Sequence, residues 1–334
     1  MPIKLVDVAE LPVDAKFVDL PDVDGDPVRW VRHSGLPQSS LERRVTRPRL
    51  SRYRAAWNAA AAARDAEAII SHLPNVTAAV SDFGVLTGMR APHLAFSFNF
   101  TDLPGAAKRL RFSTSLARVA QFAVYTEYEA ALYADYFGLP PGRFRPLLWT
   151  QETPTIGVVD PALVPSEPFV AAVGGEGRDF AVLTAAAKAL PEVPFIVIAR
   201  PTEALRDPPP NMKVHFNLPA PQTWALASRA AGMLAPLRTD ETCCGHITLV
   251  SGRMLGIPMI TTRSRGTREY SEGFAGTQLV PASDTEALVA AISSLIEDPT
   301  PARAAAAGEV AEAARRHERT RWAEYIADFI RQTR

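Results

Sequence analysis

Short apolar runs alternate with longer stretches of helical period along most of the chain. IKLVDV (3–8), EAIISH (67–72), HLAFSFNF (93–100) and QFAVYT (121–126) are rich in β-branched and aromatic residues and predict buried strands. Helices are expected between them: an Ala-rich one around Trp57 over 50–66, a looser one near 75–81, and one over 105–117. TEYEAALYADYFGLP carries its own punctuation, with Thr126 as N-cap, Glu129 at the capping-box position, and Gly138 and Pro140 as the stop. Residues 10–48 show no clear period, and RRVTRPRLSRYR (43–54) is locally basic.

TQETPTIGVVDPALVPSEP (150–168) holds four prolines and little periodicity, which predicts a boundary. The alternation then restarts. Strands are expected at 169–175, 194–200, 212–216, 232–237, 257–262 and 277–281. Helices are expected at 178–190, 221–231, 246–255, after an Asp284 cap, and over 301–333. Strand–helix alternation means parallel sheets, so the fold class is α/β with two Rossmann-like parallel-sheet domains. The expected division is 1–160, 161–315 and a C-terminal helix, 316–334, packing back on the N-terminal domain. No internal repeat is visible.

Composition narrows the function classes. Lys+Arg and Asp+Glu balance at 36 each, so no global field favours nucleic acid. No apolar run is long enough to span a bilayer, and MPIKLVDVAELPVDAK lacks the charge and apolar stretch of a signal peptide. The two cysteines, Cys243 and Cys244, are adjacent and make no disulfide framework. A cytoplasmic protein is expected, with peripheral membrane contact left open by the basic 43–54 segment and by Lys108, Arg109 and Arg111. The alternative for those cations is a solvated surface.

Three segments of the second half carry candidate chemistry. In VGGEGRDF (173–180) a strand runs through Gly174 and Gly175 into a helix, with Arg178 placed to meet a phosphate. The spacing fits neither a dinucleotide fingerprint nor a P-loop. DETCCGHITLVSGRMLGIP (240–258) opens a helix through Gly245, so the amides of Gly245, His246, Ile247 and Thr248 would be helix-start donors suited to a diphosphate. Glu241 lies just upstream, where it could accept hydrogen bonds from hydroxyls. TTRSRGTREYSEG (261–273) clusters Arg263, Arg265 and Arg268. In the first half, His72 and Asn99 fall at strand ends, with Asp102 just beyond, where ligands bind in open α/β sheets. Each of these has a structural alternative: a plain glycine turn, a core histidine or a solvated loop.

CGHITLVSGRMLGIPMITTRSRGTREY, followed by GTQLVPASDTEALVAAI, resembles the C-terminal half of the family 4 glycosyltransferases, which adopt the GT-B fold. The matching positions are Glu241, Gly245, Leu255-Gly256-Ile257-Pro258, Gly266, Leu279-Val280-Pro281, Asp284 and Ala287-Leu288. VGGEGRDFAVLTAAAKAL is similar to the family's first C-domain strand and helix, with Arg178 at the usual basic position. The resemblance covers roughly 169–298, and the N-terminal half matches by element order. It implies two domains facing across a cleft, an acceptor domain first and a donor domain second. It further implies retaining, metal-free transfer of a sugar, a hexose in most of the family, from a UDP- or GDP-linked donor. No cofactor beyond that co-substrate is implied. The acceptor would be a glycan, a lipid-linked sugar or a small molecule.

By the same resemblance Arg200, Asn217 and Leu218 would meet the base and ribose. Gly174, Gly175, Arg178 and the Gly245–Thr248 amides would meet the diphosphate. Glu241 would hold the donor sugar's hydroxyls, and His72 would act near the reaction centre. Two positions depart from the family: Ser251 stands where a second glutamate binds ribose, and Gly175 where an arginine is usual. A binding protein on a degenerate GT-B scaffold and a sugar-nucleotide epimerase on the same fold are the alternatives.

Overall fold

The structure, a computed structural model, describes residues 2–14, 18 and 20–334; Met1, Ala15, Lys16, Phe17 and Asp19 lie outside the described residues. Two compact units divide the chain, Met1–Leu148 with Arg319–Arg334, and Trp149–Glu318. The expected boundary at 160 lies inside the Pro-rich start of the second unit.

The first unit contains β1 (Ile3–Ala9), β2 (Asp22–Val23), β3 (Asp26–Ser34), α1 (Ser40–Arg44), α2 (Leu50–Ala62), β4 (Ala68–His72), α3 (Pro74–Thr87), β5 (His93–Phe96), α4 (Ala106–Leu116), β6 (Gln121–Val124), α5 (Glu127–Phe137) and β7 (Phe144–Pro146). Its sheet runs β2-β3-β1-β4-β5-β6-β7, parallel except for the β2–β3 pair. β1 pairs with β3 on one side and β4 on the other, in the register Val6↔Val31 and Val6↔Ile69, which is why its sequence is almost unbroken apolar.

Several expectations need correction here. β3 comes from the stretch that showed no period. Arg29, Trp30, Arg32 and His33 are half-buried or exposed on it, so charged residues mask the alternation. The short β7 also went unread. HLAFSFNF is a strand only to Phe96. Ser97 takes a left-handed φ of 51°, and Phe98 and Phe100 turn into an aromatic cluster with Phe112, Phe122 and Tyr133. α3 continues past the expected residue 81 to Gly88, a left-handed C-cap. Half of the arginines of the basic 43–54 segment are paired within the unit, Arg49 and Arg52 on Glu10 and Arg54 on Glu42.

The second unit contains β8 (Val170–Val173), α6 (Phe180–Ala189), β9 (Phe195–Ala199), β10 (Met212–Phe216), α7 (Ala220–Ala227), β11 (Gly232–Ala235), α8 (His246–Met254), β12 (Met259–Thr262), α9 (Arg268–Ser271), β13 (Thr277–Val280), α10 (Thr285–Glu297), α11 (Thr300–Gly308) and α12 (Val310–Arg316). Its sheet runs β10-β9-β8-β11-β12-β13, parallel throughout. The order reverses between β8 and β11, the topological switch point where open α/β sheets bind ligands. Asp179 caps α6 and Asp284 caps α10 through their carboxylates, to Val182 N–H and Ala287 N–H.

The helical stretch expected over 301–333 is divided into three helices, α11, α12 and α13 (Thr320–Thr333). α13 belongs to the first unit. Its Trp322, Ile326, Phe329 and Ile330 are buried, and Trp322 Nε1–H donates to Leu148 O at 2.9 Å. Trp322 meets Phe96 edge-on, with centroids 5.0 Å apart. Arg331 pairs with Asp24 and Arg334 with Asp26 at the same unit's far edge. Among the described residues no helix is long and apolar enough to cross a membrane.

Trp322→Ala removes a buried indole and should destabilise the first unit by about 3–5 kcal/mol. In urea unfolding followed by pulse proteolysis, the first unit's midpoint should fall while the second unit's stays. Equal movement of both would mean that the helix is not confined to the first unit's core.

Candidate functional site

The loops after β8, β11 and β12 meet at the carboxyl edge of the second unit's sheet, and the chain's turns there are set by glycine. Gly174 (φ 107°) and Gly245 (φ 103°) both lie against one side chain, Arg178. A Cβ on Gly174 would fall 2.7 Å from Arg178 Nη2, and one on Gly245 3.1 Å from Nη1. Only residues without a side chain let the backbone close over the guanidinium in this way.

Arg178 is 7% exposed. Its Nη2 donates to Val173 O at 3.2 Å and to Thr248 Oγ1 at 2.9 Å, and Nη1 donates to Glu176 O at 3.4 Å. Nε is buried without a partner. Burial pulls the guanidinium down to about 10, which leaves it charged at neutral pH. A cation with an unmet donor thus sits under Gly245, the N-cap of α8. That cap has no side-chain hydrogen bond. The helix dipole and the first-turn amides add positive potential at the same place. Ile247 in that first turn is 51% exposed, so the turn is open to solvent.

The rest of the loop cluster is interlocked. His246 is buried, its Nε2–H donates to Gly266 O at 3.0 Å, and burial pushes its imidazole down to about 4, so it is neutral at pH 7. Ser264 Oγ donates to Thr242 O, and Arg265 N–H to Asp240 O. Cys243 and Cys244 are buried and pack on Gly266 and Gly177. Glu241 is exposed and ion-paired with Arg265. Arg263 and Arg268 both reach Glu272, so the basic loop carries its own counter-charges.

The remaining sequence-named residues of this unit fall in three places. Gly175 is open: a Cβ there would come no nearer than 3.7 Å to its closest non-neighbouring atom, Arg200 N, and the Arg200 guanidinium rests on Glu176 at 3.4 Å. Asn217 follows β10 with a left-handed φ of 56° and donates its N–H to Ala199 O, which brings the ends of β9 and β10 together; Leu218 beside it is half-buried. Ser251 is fully buried on α8, and its hydroxyl accepts from Gln151 Nε2 at 2.8 Å.

In the first unit, His72 is 4% exposed at the end of β4, and its Nε2–H donates to Asp7 Oδ1 at 2.9 Å. Asp7, on β1, went unnoticed in the sequence because it sits inside an apolar run, though a carboxylate in a central strand is itself a signal. Asn99 donates its amide to Glu129. Asp102 is exposed in the loop before α4. Glu129 is fully buried and also receives Tyr125 N–H at 2.8 Å and Tyr133 Oη–H at 3.0 Å. Burial outweighs those bonds and raises its carboxyl to about 7. Thr126 caps α5 as expected, its Oγ1 accepting Glu129 N–H at 3.1 Å, while the Glu129 carboxylate reaches back to Tyr125 N–H.

No family model matches the chain, and no curated protein sequence does. Solved structures do match. HepE of Anabaena, in complex with UDP-glucose, aligns with a TM-score of 0.72 at 12% identity, over 99% of this chain and 100% of that one. Sucrose-phosphate synthase from Thermosynechococcus elongatus gives 0.70 at 14%, over 99% and 98%. The UDP-forming α,α-trehalose-phosphate synthase from Burkholderia xenovorans, in complex with glucose-6-phosphate, gives 0.67 at 12%, over 99% and 100%. At such identity the likeness is one of fold. The chain has the GT-B fold, with parallel α/β sheets of seven and six strands.

Glu129 sets a pH dependence of stability. Its folded value of about 7 lies above the ordinary glutamate value of 4.5, so the folded state holds the proton more tightly. That contribution is full below pH 4.5 and is lost as pH rises through about 7, roughly 3 kcal/mol in all. Glu129→Gln stays neutral throughout. Wild type should therefore lose stability relative to the variant between pH 4.5 and 8 in urea titrations. A constant difference would show that the carboxyl is ionised throughout.

Proposed function

We propose that the chain is a nucleotide-sugar-dependent glycosyltransferase of the family 4 kind, which moves a hexose with retention and without a metal. The observation that carries the reading is Arg178, buried between Gly174 and Gly245 at the start of α8 with its Nε unmet. A diphosphate there would take the α8 amides from Gly245 to Thr248 and the guanidinium together. As the anomeric bond breaks, negative charge grows on the leaving diphosphate, and these donors meet it without reorganising. Gly175 leaves room for the phosphates. Arg200, Asn217 and Leu218, brought to one place at the ends of β9 and β10, are assigned to the base and ribose. Glu241 is assigned to the sugar's hydroxyls, in exchange for its partner Arg265. His72, oriented by Asp7, is assigned to a contact with the donor sugar or acceptor near the reaction centre, and Asn99 and Asp102 to the acceptor side.

The HepE complex with UDP-glucose supports a UDP-linked donor on the shared fold; a GDP-linked donor is the other expectation. The acceptor is a glycan, a lipid-linked sugar or a small molecule. Nucleic acid is not among the proposed partners, and the proposed location is the cytoplasm, with any membrane contact peripheral. A second reading, a scaffold that binds nucleotide without transfer, is favoured by one observation: Ser251, where the family has a glutamate, is buried on Gln151 and offers no carboxylate to a ribose.

Calorimetry with UDP, GDP, ADP and their glucose conjugates tests both. Tight binding with sugar transfer supports the enzyme, and binding without transfer to any acceptor or water supports the scaffold. Arg178→Ala should weaken the diphosphate about 10- to 100-fold, the worth of a charge-assisted bond, while the free nucleoside is unaffected. Equal loss for both would remove the guanidinium from the phosphate. Glu241→Ala should abolish transfer and change nucleoside-diphosphate affinity less than about threefold. A parallel loss of affinity would mean that Glu241 is no sugar contact.

A further inference from the structure

The chain enters the second unit at Trp149 and leaves it at Glu318, and both ends are fastened to one tyrosine. Trp149 N–H donates to Tyr270 Oη at 2.8 Å, and Trp149 O accepts from His317 Nδ1–H at 2.7 Å. The His317 ring stacks on Tyr270, with centroids 5.8 Å apart and planes 18° apart. Gln151 N–H donates to His317 O at 3.0 Å, which closes the entering and leaving segments on each other. Tyr270 and His317 have no solvent exposure at all.

The same tyrosine touches the start of α8. His246 packs on its ring at 4.5 Å, and His246 is the first residue of the helix whose amides form the anion site. A second link runs one turn further along, where Gln151 Nε2 donates to Ser251 Oγ while its Oε1 accepts from Trp149 Nε1–H at 2.8 Å. Ser251 therefore has work to do even without a ribose. It holds the entering segment against the helix.

We infer that Tyr270 is a positioning residue that couples occupancy of the α8 anion site to the order of residues 149–151 and 317. The inference rests on the donor-site reading above and adds to it a route by which binding reaches the two chain crossings. A diphosphate that draws the Gly245–Thr248 amides together fixes His246, whose ring is held on one side by Gly266 O and on the other by Tyr270. Fixing Tyr270 fixes the acceptor of Trp149 N–H. By linkage the effect is reciprocal, so loosening the Trp149 contact must weaken the ligand.

Hydrogen exchange on the full chain tests this, with UDP, GDP, ADP and inorganic pyrophosphate as probes and the tightest used at saturation. Exchange of the Trp149 and Gln151 amides in wild type should slow at least fivefold on binding. Tyr270→Phe keeps the ring and removes Oη; His317→Phe keeps the stack and removes the bond to Trp149 O. Both should bind the probe 3- to 10-fold more weakly, and exchange at 149–151 should be fast and no longer respond to it. Lower thermal stability with the ligand-induced slowing intact would make Tyr270 a structural residue only and overturn the coupling. Bound probe with no slowing in wild type overturns it as well and leaves the donor site standing, whatever the variants do. No binding of any probe by wild type overturns the donor-site reading and this inference together.

Discussion

A buried guanidinium is the constraint on which the second unit's loops depend. Arg178 cannot be removed from water without acceptors arranged around it, and here Val173 O, Glu176 O and Thr248 Oγ1 are so arranged. The backbone must come close to supply them, which requires Gly174 and Gly245. Their approach in turn sets where α8 begins. The exposed start of α8 is in this sense a by-product of solvating one cation with protein. Nε is the part of the guanidinium that this solvation leaves unmet.

The first unit solves a different burial problem. Its polar groups at the sheet's carboxyl edge are paired with one another: His72 with Asp7, and Asn99 and Tyr133 with Glu129. Two of these pairs hold side chains that the acceptor-side assignment uses. Orientation there is fixed before any ligand arrives, and preorganisation of that kind lowers the entropy cost of binding.

Strand–helix alternation was legible wherever strands are buried on both faces, as in β1, β4, β8 and β9, since such strands are apolar without interruption. β3 was not legible, because Arg29, Arg32 and His33 stand on a strand that is only partly covered. The end of β5 was misplaced because Phe98 and Phe100 are apolar for the sake of an aromatic cluster, a reason that a one-dimensional pattern does not separate from strand burial. At the site, glycines followed by a cation pointed to Arg178 directly. Tyr270 and His317 left no such signal: their roles come from contacts across 121 and 168 positions of sequence.

The return of α13 to the first unit has a consequence for how the protein is made. Trp322, Phe329 and Ile330 close a core whose other residues were synthesised before any of Trp149–Glu318. At about 5–20 residues per second, the first unit waits on the order of ten seconds for its last helix. During that interval Phe96, the edge-on partner of Trp322, lacks its cover, while the second unit has its whole sequence available to fold as an insert. Emergence of α13 from the ribosome is therefore the event that completes the half of the molecule synthesised first.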